Sequence, residues 1–133
     1  MNEATCKAAL CRLLRESVVP RGGVVYRHED TFTGGIPDIS VNLGGRTLWV
    51  EVKLDKPGRP GRVTALQEAA LLSLQGVLLR YQLSKDGSLC AVIRNYKPGA
   101  PEFDTGIAAP RKVRVQVHRV VAAGLLSELE RRG

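Results

Sequence analysis

Cysteine, histidine and aromatic residues are scarce in this chain of 133 residues, which has three Cys, two His and 5% Phe, Trp and Tyr together. Cys6, Cys11 and Cys90 are odd in number and form no CxxC pair. A disulfide framework and a cysteine zinc site therefore lack support, and a reducing compartment is expected. His28 and His118 cannot by themselves build a histidine-rich metal site, so any metal must sit on carboxylates. No apolar run approaches the roughly 18 to 20 residues needed to cross a bilayer. The start, Met-Asn-Glu-Ala-Thr, lacks a basic leader followed by an apolar stretch, so neither export nor membrane insertion is expected. With so few aromatics there is little material for stacking exposed bases.

Basic residues, by contrast, are abundant. Twenty Lys and Arg face thirteen Asp and Glu, a net charge of +7, with a pI near 9.8. A positive field of this size raises the local concentration of phosphate chains and speeds their capture, so nucleic acid leads as a partner, ahead of a membrane surface. Hydrophobic residues at 44% and charged residues at 25% are ordinary globular values and exclude collagen, coiled coil and wholesale disorder. The length suits one compact domain, 1–133.

The order of elements follows from periodicity and punctuation. Glu3 to about Glu16 reads as a helix with Cys6, Leu10, Leu13 and Leu14 on one stripe, ended by Pro20 and Gly22-Gly23. Glu3 lies on that stripe, unusual for a carboxylate free to face solvent; a first-turn Glu favoured by the helix dipole is the plainer reading. Val24-Val25-Tyr26 forms a short strand, a glycine-rich loop runs from His28 to Gly35, and a second strand begins at Pro37 or Asp38. Gly44-Gly45 turns it into a third strand, Thr47 to Lys53, completing a β-meander. Alternation puts Leu48, Val50 and Val52 on one face and Trp49, Glu51 and Lys53 on the other. The segment from Asp55 to Arg62, with two prolines and two glycines, is a basic irregular loop. Thr64 and Gln67 form a capping-box pattern that opens a helix to Leu74, stopped by Gly76. Val77–Leu83 and Ser88–Tyr96 form a hairpin, Lys97 to Pro110 is a loop, and Val113, Val115 and Val117 alternate as a strand before a helix from Val120 to Arg132.

The chemistry concentrates in the meander. Hairpin strands joined at Gly44-Gly45 let Asp38 and Glu51 share a face within metal-binding reach, with Lys53 beside them. Hard oxygen ligands suit magnesium or manganese, which polarises a phosphodiester and lowers the pKa of a bound water, while an ammonium positions that water or offsets developing charge.

Gly35-Ile36-Pro37-Asp38-Ile39 followed by Trp49-Val50-Glu51-Val52-Lys53 resembles the PD-(D/E)xK nuclease core. Within that superfamily, residues 3 to 80 most resemble the small VRR-NUC group, with its glycine-x-proline-aspartate strand, E-V-K strand and glutamine on the next helix. The Gly-x-Pro-Asp stretch is also similar to archaeal Holliday-junction resolvases. The resemblance implies an α/β fold with a restriction-endonuclease-like core, a central mixed β-sheet flanked by α-helices. It implies Asp38, Glu51 and the Val52 backbone carbonyl as ligands of Mg2+ or Mn2+, Lys53 as the catalytic lysine, Glu3 as the first-helix carboxylate and Gln67 as an active-site partner. It further implies a metal-dependent endonuclease acting on branched DNA, junctions or flaps, as a homodimer for which Leu125 and Leu126 of the last helix offer apolar surface. A cytoplasmic setting, in a bacterial or phage-infected cell, is the matching expectation.

Plainer readings stand beside these. Asp38 can be a turn residue after Pro37, Glu51 and Lys53 a solvated strand face, and Gln67 simply the partner of Thr64. His28 and Glu29 are expected to be exposed loop residues. Lys56, Arg59 and Arg62 are expected to contact DNA phosphates rather than merely keep a loop soluble, with Arg111, Lys112 and Arg114 a weaker patch. Two rival functions are a non-catalytic nucleic-acid-binding module of the same fold and a small subunit whose basic surface docks an acidic protein.

Overall fold

The structure is a computed structural model that describes residues 1–29 and 34–132; the middle of the glycine-rich loop expected between His28 and Gly35 lies outside the described residues. The first helix, α1 (Glu3–Val18), is opened by a capping box in which Asn2 and Thr5 exchange side-chain-to-backbone bonds. Its expected stripe is buried, and Cys11 and Val18 join it. A 3-10 turn at Val19–Arg21 leads into β1 (Val24–Arg27), β2 (Ile39–Leu43) and β3 (Arg46–Asp55). These three strands pair antiparallel in chain order, the expected meander, with Ile39 across from Val50 and Ser40 across from Trp49.

From β3 the chain crosses through α2 (Ala65–Leu74) to β4 (Val77–Leu83), which pairs parallel to β3 with Glu51 beside Leu78 and Lys53 beside Arg80. The expected hairpin follows as β4 and β5 (Leu89–Asn95). The 97–110 stretch contributes a two-residue strand, β6 (Phe103–Asp104), at the far edge. The result is one six-stranded mixed sheet in the order β1-β2-β3-β4-β5-β6, flanked by helices.

The expected strand over Val113 to Val117 does not form. A 3-10 turn at Arg111–Val113 runs into α3 (Val115–Arg131), which begins five residues earlier than expected. Val113 and Val117 satisfy both a two-residue and a four-residue repeat, and the continuation through Val121 and Leu125 is helical: Val117, Val121 and Leu125 are buried while Val115 and Val120 are exposed. Leu125 is only 1% exposed and does not supply the apolar surface expected for a dimer, while Leu126 is half-buried against the core.

The two sheet faces differ. Val41, Leu48, Val50, Val52, Leu79, Tyr81 and Ile93 form the main core with α1 and α3, which pack side by side. Each fully buried aliphatic side chain there contributes about 1.5–3 kcal/mol. The opposite face carries α2 over a small cluster of Leu71, Leu78 and Tyr96. That helix ends on Gln75 in the left-handed conformation (φ 51°), not on a glycine. Gly76 is required for space instead, since a Cβ there would meet the Trp49 carbonyl oxygen at 2.9 Å. No described helix is long and apolar enough to cross a membrane.

Candidate active site

The candidate site forms where β2 begins and β3 runs on past it. Asp38 precedes β2 by one residue, and the register places it across from Glu51 and places Pro37 across from Val52. Proline has no N–H, so the ladder cannot continue at that step. The Val52 N–H donates instead to Asp38 Oδ2 at 2.9 Å. A strand residue sends its N–H and C=O from the same edge, so the Val52 carbonyl leaves β3 on the Asp38 side with no proline N–H to receive. One alternate residue further, the Leu54 N–H donates to Glu3 Oε1 at 3.2 Å. Two carboxylates thus cap the unpaired edge of β3, and Glu3, on the buried stripe of α1, reaches the sheet where the plainer reading left it to the helix dipole alone.

Glu51 and Lys53 point together from the face opposite the main core, as alternation requires. Glu51 is 2% exposed and Lys53 8% exposed, which removes the reading of a solvated strand face. Lys53 Nζ stands 3.8 Å from Glu51 Oε2. Burial pushes the Glu51 carboxyl up to about 8; the neighbouring Asp38 charge adds to the rise and Lys53 opposes it. No family model and no curated protein sequence matches the chain. The chemistry of the site therefore rests on its own geometry.

Lys7 is the residue that sequence reasoning passed over. Its ammonium donates to Asp38 Oδ1 at 2.9 Å. The available signal was its position one helical turn after Glu3, on the same face. His28 was also underrated: its backbone N–H donates to the Asp38 carbonyl at 2.8 Å, and its ring Nε2 lies 2.8 Å from Ser40 Oγ. Glu29 is exposed, as expected.

Gln67 behaves as a cap. Its Oε1 accepts from the Thr64 N–H at 3.0 Å and its own N–H donates to Thr64 Oγ1 at 3.1 Å. Among the described residues no hydrogen bond joins it to Asp38, Glu51 or Lys53.

The basic loop is more ordered than its composition suggests. Lys56 and Arg59 exchange two backbone hydrogen bonds of 2.9 Å around Pro57-Gly58, and Gly58 adopts the left-handed φ of 69° that this tight turn needs. Asp55, the last residue of β3, accepts from the Gly61 N–H at 2.7 Å and from Arg80 at 2.9 Å, and Arg80 donates in turn to the Gly61 carbonyl. Gly61 is thereby held against β3, where a Cβ would stand 3.1 Å from Lys53 Cβ. Lys56, Arg59 and Arg62 remain exposed around this anchored turn.

Among the described residues no three His, Cys, Asp or Glu side chains converge on one point. The donor set is two carboxylates with one unpaired strand carbonyl. That set fits magnesium, which is commonly held by one or two carboxylates and keeps several waters.

Proposed function

We propose that the protein is a metal-dependent endodeoxyribonuclease with a restriction-endonuclease-like core of the PD-(D/E)xK kind. The observation that carries this reading is the meeting of Asp38, Glu51 and Lys53 at one strand end, where Pro37 leaves the Val52 carbonyl without its ladder partner. Asp38, Glu51 and that carbonyl would hold magnesium or manganese, which supplies Lewis-acid polarisation of the phosphodiester and a water of lowered pKa. Lys53 is placed to orient the attacking water and to offset charge developing on the phosphoryl oxygens. Glu3 caps the Leu54 N–H on the same edge of β3, beside the site. Lys56, Arg59 and Arg62 supply phosphate contacts that position DNA without reading its sequence.

Branched DNA, as a junction or flap, is the proposed substrate, since a chain this small offers no separate module for reading bases. Cutting both arms of a junction symmetrically requires two sites, hence a homodimer. One observation favours a second reading, a DNA-binding module without catalysis: both Asp38 carboxylate oxygens already have partners in Lys7 and the Val52 N–H.

Cleavage of labelled four-way-junction, flap and linear duplex DNA in magnesium, manganese or EDTA separates the two. Metal-dependent cuts that vanish in correctly folded Asp38→Ala and Lys53→Ala proteins establish the nuclease. Binding without cutting in either metal establishes the module.

A further inference from the structure

Two aromatic residues, Tyr26 and Trp49, stand together with a histidine on one sheet face, apart from Tyr81 in the main core and Tyr96 under α2. Tyr26 on β1 pairs with Ser40 on β2, and Ser40 with Trp49 on β3, so these three form one row across the sheet. The next row on the same face, two residues along, contains His28, Asp38 and Glu51, because the His28 N–H bonds the Asp38 carbonyl and Asp38 lies across from Glu51. The His28 ring centroid is 5.0 Å from that of Trp49 and 6.2 Å from that of Tyr26. The bond to Ser40 fixes the imidazole between them. Three rings therefore stand on one sheet face, immediately beside the carboxylates.

This face is not the one that α1 and α3 bury. Val25, Val41 and Leu48 alternate with the aromatic row and enter the core, leaving Tyr26 55% exposed on the other side. The helix on the aromatic side, α2, packs over Leu78 and Tyr96 further along the sheet. His28 and Trp49 are half-buried, but a tyrosine as exposed as Tyr26 contributes little to folding, so packing does not account for its place beside them.

We propose that Tyr26, His28 and Trp49 form a stacking platform for an unpaired nucleotide of the DNA strand whose phosphate lies at Asp38 and Glu51. This rests on the nuclease reading and narrows its substrate class. Alternate residues of a strand are about 7 Å apart, so a base on Trp49 belongs to a nucleotide adjoining the one at Glu51. Any base offers a flat face to such rings, so the contact is indifferent to sequence. A base inside an unbroken duplex has both faces covered by its neighbours and cannot use the platform. Flap bases and the open centre of a junction can. The chain's net charge of +7 complements the strand.

Trp49 is the sole tryptophan of the chain, so its fluorescence reports the platform directly. The full-length protein is titrated in EDTA with a short oligothymidylate and with an abasic strand of equal length and charge. Expected are quenching by thymidylate only, affinity for the abasic strand weaker by roughly tenfold or more, and a similar loss for thymidylate alone in Tyr26→Ala. Equal binding of both strands, or a Tyr26→Ala protein that loses affinity for both alike, overturns the platform. The nuclease reading fails separately: quenching by thymidylate with no metal-dependent cutting leaves the platform standing without it. Cutting without base-dependent binding leaves the nuclease standing without the platform.

Discussion

The ammonium of Lys7 lies 2.9 Å from Asp38 Oδ1, and both side chains are largely withdrawn from water. An ammonium in that place neutralises the carboxylate in the absence of any other cation, and a divalent ion at Asp38 has to compete with it. Replacing Lys7 by Met keeps the apolar stem and removes the competitor. The Lys7→Met protein is expected to bind manganese several-fold more tightly in calorimetry, and to lose about 1 kcal/mol of metal-free stability in thermal or urea unfolding. Unchanged manganese affinity would make Lys7 a purely structural partner of Asp38.

Glu51 gives a pH dependence whose sign is fixed. Its carboxyl is raised from 4.5 to about 8 in the fold, chiefly by burial, so the folded state holds a proton that the unfolded chain has released. Stability from this group is complete below about 4.5 and is lost as pH rises through about 8. In EDTA the wild-type melting temperature should therefore fall across that window, and Glu51→Gln, which keeps shape and loses the charge, should fall less and melt higher at the alkaline end. Parallel curves for the two proteins would show that Glu51 is already compensated in the fold.

Most of the architecture was legible because its signals are local and agree with one another. Thr64 and Gln67 read as a capping box and form both of its bonds; the alternation from Leu48 to Lys53 fixes which side chains enter the core. Glu3 was legible as an anomaly on the α1 stripe, though its partner, the Leu54 N–H, lies fifty-one residues away and leaves no mark in periodicity. Val113 to Val117 misled because short valine runs satisfy strand and helix repeats alike, and only burial through Leu125 decides between them. Lys7 was hidden by the usual assumption that a helix lysine faces water. The grouping of Tyr26, His28 and Trp49 was hidden by composition itself, since a low aromatic fraction says nothing of where strand pairing gathers the rings.

The anchored basic turn makes the last prediction separable from the platform. Lys56, Arg59 and Arg62 are exposed around a hairpin held by Asp55, Arg80 and Gly61, so removing their charge should leave the fold intact. Each phosphate contact on duplex DNA contributes about 0.9 to the slope of log affinity against log salt. The triple Lys56→Ala, Arg59→Ala, Arg62→Ala protein should therefore bind a junction more weakly at low salt, with the slope reduced by roughly 2 to 3 if all three residues touch phosphate. The weakening must be equal for abasic and base-containing strands, because charge does not distinguish them, whereas Tyr26→Ala acts on the base-containing strand alone. An unaltered slope would return the three residues to the role of keeping a surface turn soluble, and would shift the phosphate contacts to other cations around the site.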